Sequence, residues 1–580
     1  MRDAPDGKVN VDMLGDMQNQ ENISPLHILE DDWLDQSSSR VSPYKKIDEM
    51  PTAHILRAVS DWSHYIEPEN QFGWTAQDMD TWILPIVSGE FAKDTSGSTS
   101  INRSARVEGH IALLRSFVKS SGIYALASVA LPLINLVLAP FLTHYLSPTD
   151  YGILTILTTF ISLGAGISQL GLASAFFRAY GYDYTSNDDR RDVLATATWL
   201  LCSISALIVA AGVIFAPFLA GVFFGRSTFS SLIALAVGVV ALQNLTVPGF
   251  AWMRAEGRAA FYAILAICSL LITLVANLYL VGILHMGVIG SLLATGSGYA
   301  GVIICTIPFI LVRAGIRMRV HIARSMLTYG LPLVLNLVSY WILQLSDRYL
   351  LTVFGSLAQT ARYAVAYTLG SAMSVVVLGP FTLAWPTTMF AIAKREDAVQ
   401  VFKLVFRWFG VFLLFAAFAL SCLGTILLDW LFPLSYHSSA FIVPIVATSI
   451  AFYGIYYIFM VGANVVRKTW LTAVFTTIAA IVNVSLNLFL IPHYQAMGAA
   501  ASTLLAYIVL ALVAYVVNQR IYPISFEIGR FIVALLVGVA CYIGSSFLAT
   551  SQGLLGTCIV YFSTLAFYGL CLLVLVKLPA

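Results

Sequence analysis

Charged residues are scarce in this sequence. Of its 580 residues, 59% are hydrophobic and only 11% carry a charge, whereas soluble domains carry about a quarter charged residues. A deficit of this size, spread over hundreds of residues, excludes a water-soluble domain for most of the chain. We therefore expect most of it to be solvated by lipid.

Signatures of catalysis are missing as well. The chain has no GxxxxGK[ST] phosphate loop, no HExxH motif and no GxSxG in a strand–helix setting, which argues against ATP hydrolysis and against an enzyme. Its seven cysteines lie in apolar stretches and form no CxxC motif, so we expect buried structural thiols. We predict no metal, no cofactor and no nucleic-acid partner.

The charges that are present divide the chain near residue 111. Residues 1–110 hold 19 acidic and 9 basic residues, whereas residues 111–580 hold 11 acidic and 23 basic residues. The first segment has no sustained helical or strand period, so we expect an acidic, mostly disordered extension, with a partner-docking role left open. It also lacks a basic region followed by an apolar run, so no cleaved signal peptide is expected.

Apolar runs of about 20 residues, long enough to cross a bilayer, recur along the rest of the chain. They predict an all-α polytopic membrane protein with about fourteen transmembrane helices. The predicted spans are 122–143, 151–174, 193–217, 229–250, 260–283, 287–312, 327–346, 361–385, 402–428, 441–464, 470–490, 498–517, 530–549 and 554–576.

The basic residues of the connecting loops predict the orientation. Successive loops between the fourteen predicted spans lie on alternate sides of the membrane. From position 111 onward, twenty Lys and Arg residues then fall on the side of the N-terminus, and only Arg226, Arg348 and Arg362 fall on the other side. Because short basic loops stay in the cytoplasm, both termini are predicted to be cytoplasmic, in the inner (plasma) membrane.

An internal repeat is visible at a spacing of about 200 to 210 residues. "LPLINLV" (131–137) resembles "LPLVLNLV" (331–338), and "ANLYLVGILHMGVIGSLLA" (276–294) resembles "LNLFLIPHYQAMGAAASTLLA" (486–506). The matched positions include Asn277 with Asn487, and we expect this pair to serve packing. Since chance similarity between apolar segments rarely matches polar positions, the pattern favours duplication of a six-helix unit.

The repeat predicts four segments and a transporter-like architecture. Two parallel six-helix bundles that rock about a central cleft would give alternating access. The predicted segments are the extension 1–110, a first bundle 111–325 (helices 1–6), a second bundle 326–520 (helices 7–12) and two appended helices 521–580.

Five stretches of the sequence together carry a family resemblance. The first is residues 121–156, with Gly122, Tyr124, Pro140 and then "LSPTDYG" (146–152). The others are "LGLASAFFRAY" (170–180), "RAEGRAAFYAIL" (254–265), "LSDRYLL" (345–351) and "ARYAVAYTLGS" (361–371). These stretches resemble the polysaccharide and O-antigen repeat-unit flippases of the multidrug/oligosaccharidyl-lipid/polysaccharide exporter superfamily. The extension 1–110 departs from the family pattern.

This resemblance implies a carrier that turns an undecaprenyl-pyrophosphate-linked oligosaccharide from the cytoplasmic to the outer leaflet. It also implies ion-coupled alternating access, with Na⁺ or H⁺ as the candidate ion, and candidate partners in the polysaccharide polymerase or export machinery. The alternative is an ion-coupled exporter of drugs or of lipid-linked peptidoglycan precursor within the same superfamily. A glycosyltransferase or polymerase would need a large extramembrane loop, which is missing from the predicted topology.

Moving a large anionic head through hydrocarbon requires hydrogen-bonding groups and positive charge. Arginine clamps phosphate with its planar fork, so Arg178 and Arg348 are candidate substrate-binding residues, with interfacial snorkelling as the alternative for Arg178. Asp347 is the candidate ion-coupling carboxylate, and the alternatives for Asp347 and Arg348 are an ion pair, a gate on the periplasmic side or an interfacial position. Arg254, Glu256 and Arg258 are expected to form a salt-bridged loop. Four amides in apolar helices are candidate sugar ligands, with interhelical hydrogen bonding as the alternative: Asn135, Gln169, Asn336 and Gln344.

Overall fold

The structure is a computed structural model of the chain, and it describes residues 134–184, 186–549 and 553–577. Over these ranges the chain is helical and has no strand, which confirms the predicted all-α class. The predicted extension 1–110 and residues 122–133 of the first predicted span lie outside the described residues.

The helices are joined by short connections, and several end in a π-helical turn. In the first half they are α1 Ile134–Tyr145, α2 Pro148–Ser168, α3 Leu172–Arg178, α4 Asn187–Ile214, α5 Ala216–Phe224, α6 Ser230–Ala255, α7 Ala259–Asn277 and α8 Gly287–Ala314. In the second half they are α9 Val320–Phe354, α10 Leu357–Met373, α11 Gly379–Ala393, α12 Ala398–Leu431, α13 Leu434–His437, α14 Ile442–Phe459, α15 Val461–Val465, α16 Trp470–Ile521, α17 Ile528–Ala549 and α18 Leu554–Lys577.

Within the described ranges, eleven helical segments are long and apolar enough to cross a membrane. The chain is therefore a multi-pass membrane protein. The shorter α1 and the long α9 are not among the eleven, and α16 is counted once, so the exact number of fourteen stays a prediction.

The family motif "LSPTDYG" builds the start of α2. The Ser147 hydroxyl oxygen accepts a hydrogen bond from the Asp150 backbone N–H at 3.1 Å, and the hydroxyl donates to Asp150 Oδ2 at 2.7 Å. Pro148 occupies the first turn, where no N–H is needed and its fixed φ suits a helix. This motif therefore sets where the second span begins.

Helix α16 is two antiparallel helices joined by a sharp reversal. Gln495 inside it has φ 50° and ψ −124°. A Cβ on Gly498 would lie 2.5 Å from the Leu490 carbonyl oxygen, whereas eight residues of straight helix would separate these positions by about 12 Å. The chain thus turns back at Gln495, between the two predicted spans 470–490 and 498–517.

The same turns recur 210 residues apart. Gly257 (φ 67°) and Arg467 (φ 59°) both adopt the left-handed conformation. Each is followed by the same backbone hydrogen bond at 2.8 Å, from Arg258 N–H to Met253 O and from Lys468 N–H to Ala463 O. Left-handed backbone is uncommon for a residue with a side chain, so its recurrence at Arg467 supports the predicted duplication.

A second pair of equivalent turns has the same character. His285 (φ 51°) lies 210 residues before Gln495 (φ 50°), and both are non-glycine residues with positive φ. The preceding amides also match. Asn277 Nδ2 donates to the Thr273 carbonyl oxygen at 2.9 Å, and Asn487 Nδ2 donates to Asn483 Oδ1 at 3.0 Å. Both amides are buried and bond within their own helix, as expected for a packing role.

Helix α2 and the short α3 that continues it pack against the second half of the chain, and near each end of this packing a glycine allows backbones to approach closely. A Cβ on Gly152 would lie 2.0 Å from the Leu357 carbonyl oxygen at the start of α10, and one on Gly330 of α9 would lie 2.3 Å from the Leu170 carbonyl oxygen. We call these the outer contact and the inner contact, following the predicted topology. Gly152 and Gly171 are separated by roughly 28 Å of helix, so the two contacts are nearly a bilayer core apart.

Candidate functional site

A polar face runs along the packing seam between α9 and α10. Gln344, Asp347 and Arg348 follow the i, i+3, i+4 spacing that places side chains on one side of a helix. They meet Tyr363 and Tyr367, which are one helical turn apart on α10. We call these five residues the polar face.

Asp347 is the most deeply buried charged group of the polar face. Its exposed fraction is 1%, and that of Tyr363 is 0%. The Tyr363 hydroxyl donates to Asp347 Oδ2, and the Arg348 backbone N–H donates to Asp347 Oδ1 at 2.8 Å. A carboxylate inside a membrane helix bundle is costly to keep, which makes it a functional candidate.

Arg348 turns away from Asp347. Its guanidinium carbon lies 5.1 Å from the centre of the Tyr367 ring, and over the described ranges the two charged side chains form no ion pair with each other. Its Nε is buried and has no hydrogen-bond partner in the part of the chain that the structure describes. Stacking on an aromatic ring leaves a guanidinium's planar donors usable for a phosphate.

Gln344 and the neighbouring serine connect the polar face to other helices. Gln344 Oε1 accepts a hydrogen bond from the Tyr367 hydroxyl at 2.9 Å. On the adjacent side of α9, the Ser346 hydroxyl donates to Asn483 Oδ1 on α16 at 3.0 Å. The Gln344 amide is therefore held in place by its neighbours, and it serves interhelical bonding at least in this conformation.

Arg178 lies near the inner contact, about a bilayer away from the outer one. Its side chain is 51% exposed, and Nε lies 3.4 Å from Asp183 Oδ2. The guanidinium carbon is also 4.8 Å from the centre of the Tyr329 ring, one residue before Gly330. Arg178 thus links the end of α3 to α9. The structure does not place it on the polar face with Arg348.

Asn135 and Gln169 do not join the polar face. Asn135 is exposed on α1. Gln169 is half-buried and caps α2, where the helix breaks at Leu170 and Gly171. Asn336 lies on α9, but its side chain falls outside the described residues. Of the seven predicted site residues, the structure brings together Gln344, Asp347 and Arg348.

The predicted salt-bridged loop at Arg254, Glu256 and Arg258 is wrong. Glu256 Oε1 accepts a hydrogen bond from the Tyr180 hydroxyl. The arginines stack on rings instead, with the guanidinium carbon of Arg254 4.9 Å from Phe177 and that of Arg258 4.9 Å from Trp252. Each of the three side chains therefore has an aromatic partner in place of the expected ion pairs.

Sequence reasoning did not identify the two tyrosines as site residues. Tyr363 and Tyr367 lie inside "ARYAVAYTLGS", which carries the family resemblance, and their spacing of four residues puts both on one helical face. Two tyrosines one turn apart in an otherwise apolar span were the available signal. Their partners on α9 depend on how α9 and α10 pack, which spacing alone does not give.

Comparisons with known proteins agree with this architecture. Residues 117–390 match the protein family described as "Polysaccharide biosynthesis protein". No curated protein sequence matches the chain.

Three solved structures have similar folds, and each of them is matched over nearly its full length. A lipid II flippase, MurJ, in an inward closed conformation has a TM-score of 0.59 and 15% identity, covering 76% of this chain and 97% of that one. An inward-facing multidrug resistance MATE family transporter has a TM-score of 0.55 and 16% identity, covering 68% and 97%. A transporter from Pyrococcus furiosus, described as having a binding pocket of reverse polarity, has a TM-score of 0.51 and 14% identity, covering 70% and 95%.

At these identities the structural likeness shows the fold. The family match begins just before the first predicted span and includes the polar face. It ends at residue 390, within α11. Together they agree with the resemblance found in the sequence: residues 117–390 match the model of the polysaccharide biosynthesis protein family, and the chain has a fold similar to that of MOP superfamily transporters.

Proposed function

We propose that this protein is a flippase that moves an isoprenoid-pyrophosphate-linked oligosaccharide from the cytoplasmic to the outer leaflet by alternating access. The observation that carries the proposal is the polar face, built within the family-matched residues of a membrane transporter fold. Its Arg348 guanidinium, whose Nε has no partner among the described residues, would donate to a sugar-phosphate head where lipid offers no donor. In this proposal the chain forms and breaks no covalent bond.

Arg348 is the proposed phosphate ligand within the bundle. Its guanidinium is stacked rather than ion-paired, and its Nε is unbonded among the described residues, so binding a phosphate would displace no existing salt bridge. Arg178 is the proposed first ligand on the cytoplasmic side. Because it already pairs with Asp183 at 3.4 Å, substrate must compete with that exposed pair, which is worth little in water.

Asp347 is the proposed coupling group for Na⁺ or H⁺. It is buried, bonded to Tyr363, and one residue from Arg348, so a proton or cation bound there would change the charge that the substrate phosphate meets. Coupling requires that the ion bind the two access states with different affinity. The domain boundaries at residues 325 and 520, the cytoplasmic termini and the inner-membrane location belong to the same proposal.

The two glycine contacts support alternating access as the mechanism. The inner and outer contacts join the first half of the chain to the second near opposite ends of the membrane. If they part alternately, the polar face is opened first to one side and then to the other. The second candidate substrate is a lipid-linked peptidoglycan precursor, favoured by the fold shared with a lipid II flippase.

Deletion of the gene and analysis of undecaprenyl-linked intermediates would test the substrate. We expect a complete oligosaccharide repeat unit to accumulate on the cytoplasmic leaflet, and the wild-type gene but not Arg348→Ala to clear it. Accumulation of peptidoglycan precursor would favour the second candidate. Unchanged intermediates together with sensitivity to dyes would overturn both in favour of drug export.

A further inference from the structure

The short connection between α8 and α9 is held against α4. It consists of residues 315–319, which lie outside the helices, and we call it the linker. The Arg319 backbone N–H donates to the Thr196 hydroxyl oxygen at 3.0 Å, and Arg319 Nε donates to Asp192 Oδ2 at 2.9 Å. Both acceptors belong to α4, so one side of the linker is fixed on the protein.

The other side of the linker is apolar and uncovered. Ile316 is 74% exposed, Met318 is 47% exposed, and Val320, the first residue of α9, is 75% exposed. These three residues, which we call the apolar side, alternate with Arg317 and Arg319. The backbone of Arg319 is extended (φ −100°, ψ 109°), and successive residues of an extended segment point to opposite sides. With Arg319 directed at α4, its neighbours Met318 and Val320 point away from it.

The linker lies at the boundary between hydrocarbon and water. Helix α8 has 28 residues, which is about 42 Å of helix, whereas the hydrocarbon core of a bilayer is about 30 Å thick. Arg313 is in the last turn of α8, and a guanidinium near the end of a membrane helix lies at the interface. The linker follows directly, so its apolar side is at the depth of the lipid head groups.

Three arginines around the linker have no carboxylate partner. Arg317 and Arg324 are exposed, and over the residues that the structure describes neither forms an ion pair. Arg313 is also exposed, and its guanidinium carbon lies 5.6 Å from the centre of the Trp252 ring, which leaves its charge unneutralised. Of the nearby arginines, Arg319 is the one paired with a carboxylate. The linker region therefore combines exposed apolar side chains with an excess of positive charge.

We propose that the linker is an interfacial anchor that binds the anionic phospholipid surface of the cytoplasmic leaflet. Its apolar side enters the acyl boundary, and the three unpaired arginines bind lipid phosphates. Single exposed apolar residues are common on protein surfaces, but three within five residues, flanked by bases, match a surface that is apolar below and anionic above. A soluble acidic partner would match the bases and leave the apolar side exposed. The inference does not rest on the proposed transport function.

Spin labels placed singly at the three positions of the apolar side measure the depth of the linker. The full-length chain, with its seven native cysteines replaced, is studied in nanodiscs. Relaxation by oxygen, which dissolves in hydrocarbon, is compared with relaxation by a nickel chelate, which dissolves in water. With phosphatidylglycerol present, we expect oxygen to reach all three labels better than the chelate does. A label at the exposed Asp188 at the start of α4 is the control, and the chelate should reach it in every membrane.

Charge variants test whether the arginines bind the lipid. With the label at Val320, Arg317→Gln should lower the ratio of lipid-inserted to water-exposed label about five-fold, and Arg317→Gln with Arg324→Gln about 25-fold. In nanodiscs of phosphatidylcholine alone, neither variant should change the ratio. Arg395→Gln removes an exposed base from another loop on the same predicted side, where it pairs with Asp397, and should leave the ratio unchanged.

Three results would overturn the proposal. Better access for the chelate than for oxygen at the apolar side, with phosphatidylglycerol present, would place the linker in water. Protection of those labels from both reagents would show that a protein surface covers them. Equal depth in the two lipids, or an equal loss in Arg395→Gln, would show that the three arginines do not bind lipid phosphates at the linker.

Discussion

Alanine at Gly330 and alanine at Gly152 should bias the protein toward opposite access states. A Cβ at residue 330 would lie 2.3 Å from the Leu170 carbonyl oxygen, and one at residue 152 would lie 2.0 Å from that of Leu357. Both neighbours are backbone atoms in helical or turn segments, so each contact must lengthen by about 1 Å before the added methyl fits. Gly330→Ala should open the inner contact, and Gly152→Ala the outer one.

The expected size of the effect follows from overpacking. Inserting one methyl into a close contact costs typically about 1–3 kcal/mol, and only the state in which that contact is closed bears the cost. The equilibrium between access states should therefore shift about 5- to 150-fold toward the state that opens the substituted side. The melting temperature should fall less than it does when a methyl is added to a rigid core, because the open state relieves the clash.

Double electron–electron resonance on the full-length chain in nanodiscs would measure this shift. Spin labels at Ser174 and Thr328 report the inner contact, and labels at Thr149 and Ser356 report the outer one; all four side chains are exposed. The seven native cysteines must be removed first. Gly330→Ala should lengthen only the inner distance, and Gly152→Ala only the outer. If either substitution changes both distances alike or neither, the two glycine contacts are not opposing gates.

Other predictions concern the polar face and Glu527, which lies just before α17 and accepts hydrogen bonds from Arg407 and Arg530. Asp347→Asn should abolish stimulation of transport by an ion gradient while leaving the melting temperature equal or higher, because it removes a buried charge; gradient-dependent transport in that variant would contradict the coupling role. Tyr363→Phe should lower the free energy of unfolding by about 1–3 kcal/mol, because it removes the side-chain donor of Asp347 and leaves only the Arg348 backbone N–H; an unchanged free energy of unfolding would refute that bond. Arg348→Ala should slow transport about 10- to 150-fold at normal protein levels, with Arg348→Lys only partly active because lysine lacks the planar fork. Since the pKa of Glu527 is lowered on folding by the Arg407 guanidinium, its stabilising effect should be complete above about pH 4.5 and disappear as the pH falls through the lower folded value; Glu527→Gln should remove that acid-dependent part of the melting curve.

Much of the fold follows from local patterns in the sequence. Hydropathy located the helices, because a bilayer leaves few other ways to satisfy a backbone. The Ser147–Pro148–Asp150 cap could be recognised from residue types alone, since it needs only neighbours in sequence. The internal repeat predicted that positions about 210 residues apart are equivalent. Positive φ angles at the paired residues 257 and 467, and 285 and 495, support this duplication.

The site was only partly predictable, because it depends on which helices pack together. Gln344 stood out as a polar residue in an apolar span, and Asp347 and Arg348 as charges at its outer end. Their tyrosine partners, and the stacking of Arg348 on Tyr367 in place of an ion pair with Asp347, follow from the seam between α9 and α10. The loop at Arg254 shows the same limit. Its opposite charges are close in sequence, but their side chains contact different aromatic residues.

Leaflet exchange in proteoliposomes tests the central claim most directly. The full-length chain is reconstituted with a fluorescent undecaprenyl-pyrophosphate-linked oligosaccharide, and the fraction of head groups reached by an external glycosidase is followed over time. We predict faster exchange than in protein-free liposomes, and a return toward the protein-free rate in Arg348→Ala. Exchange equal to that of protein-free liposomes for the wild-type chain, across imposed Na⁺ and H⁺ gradients, would contradict the account.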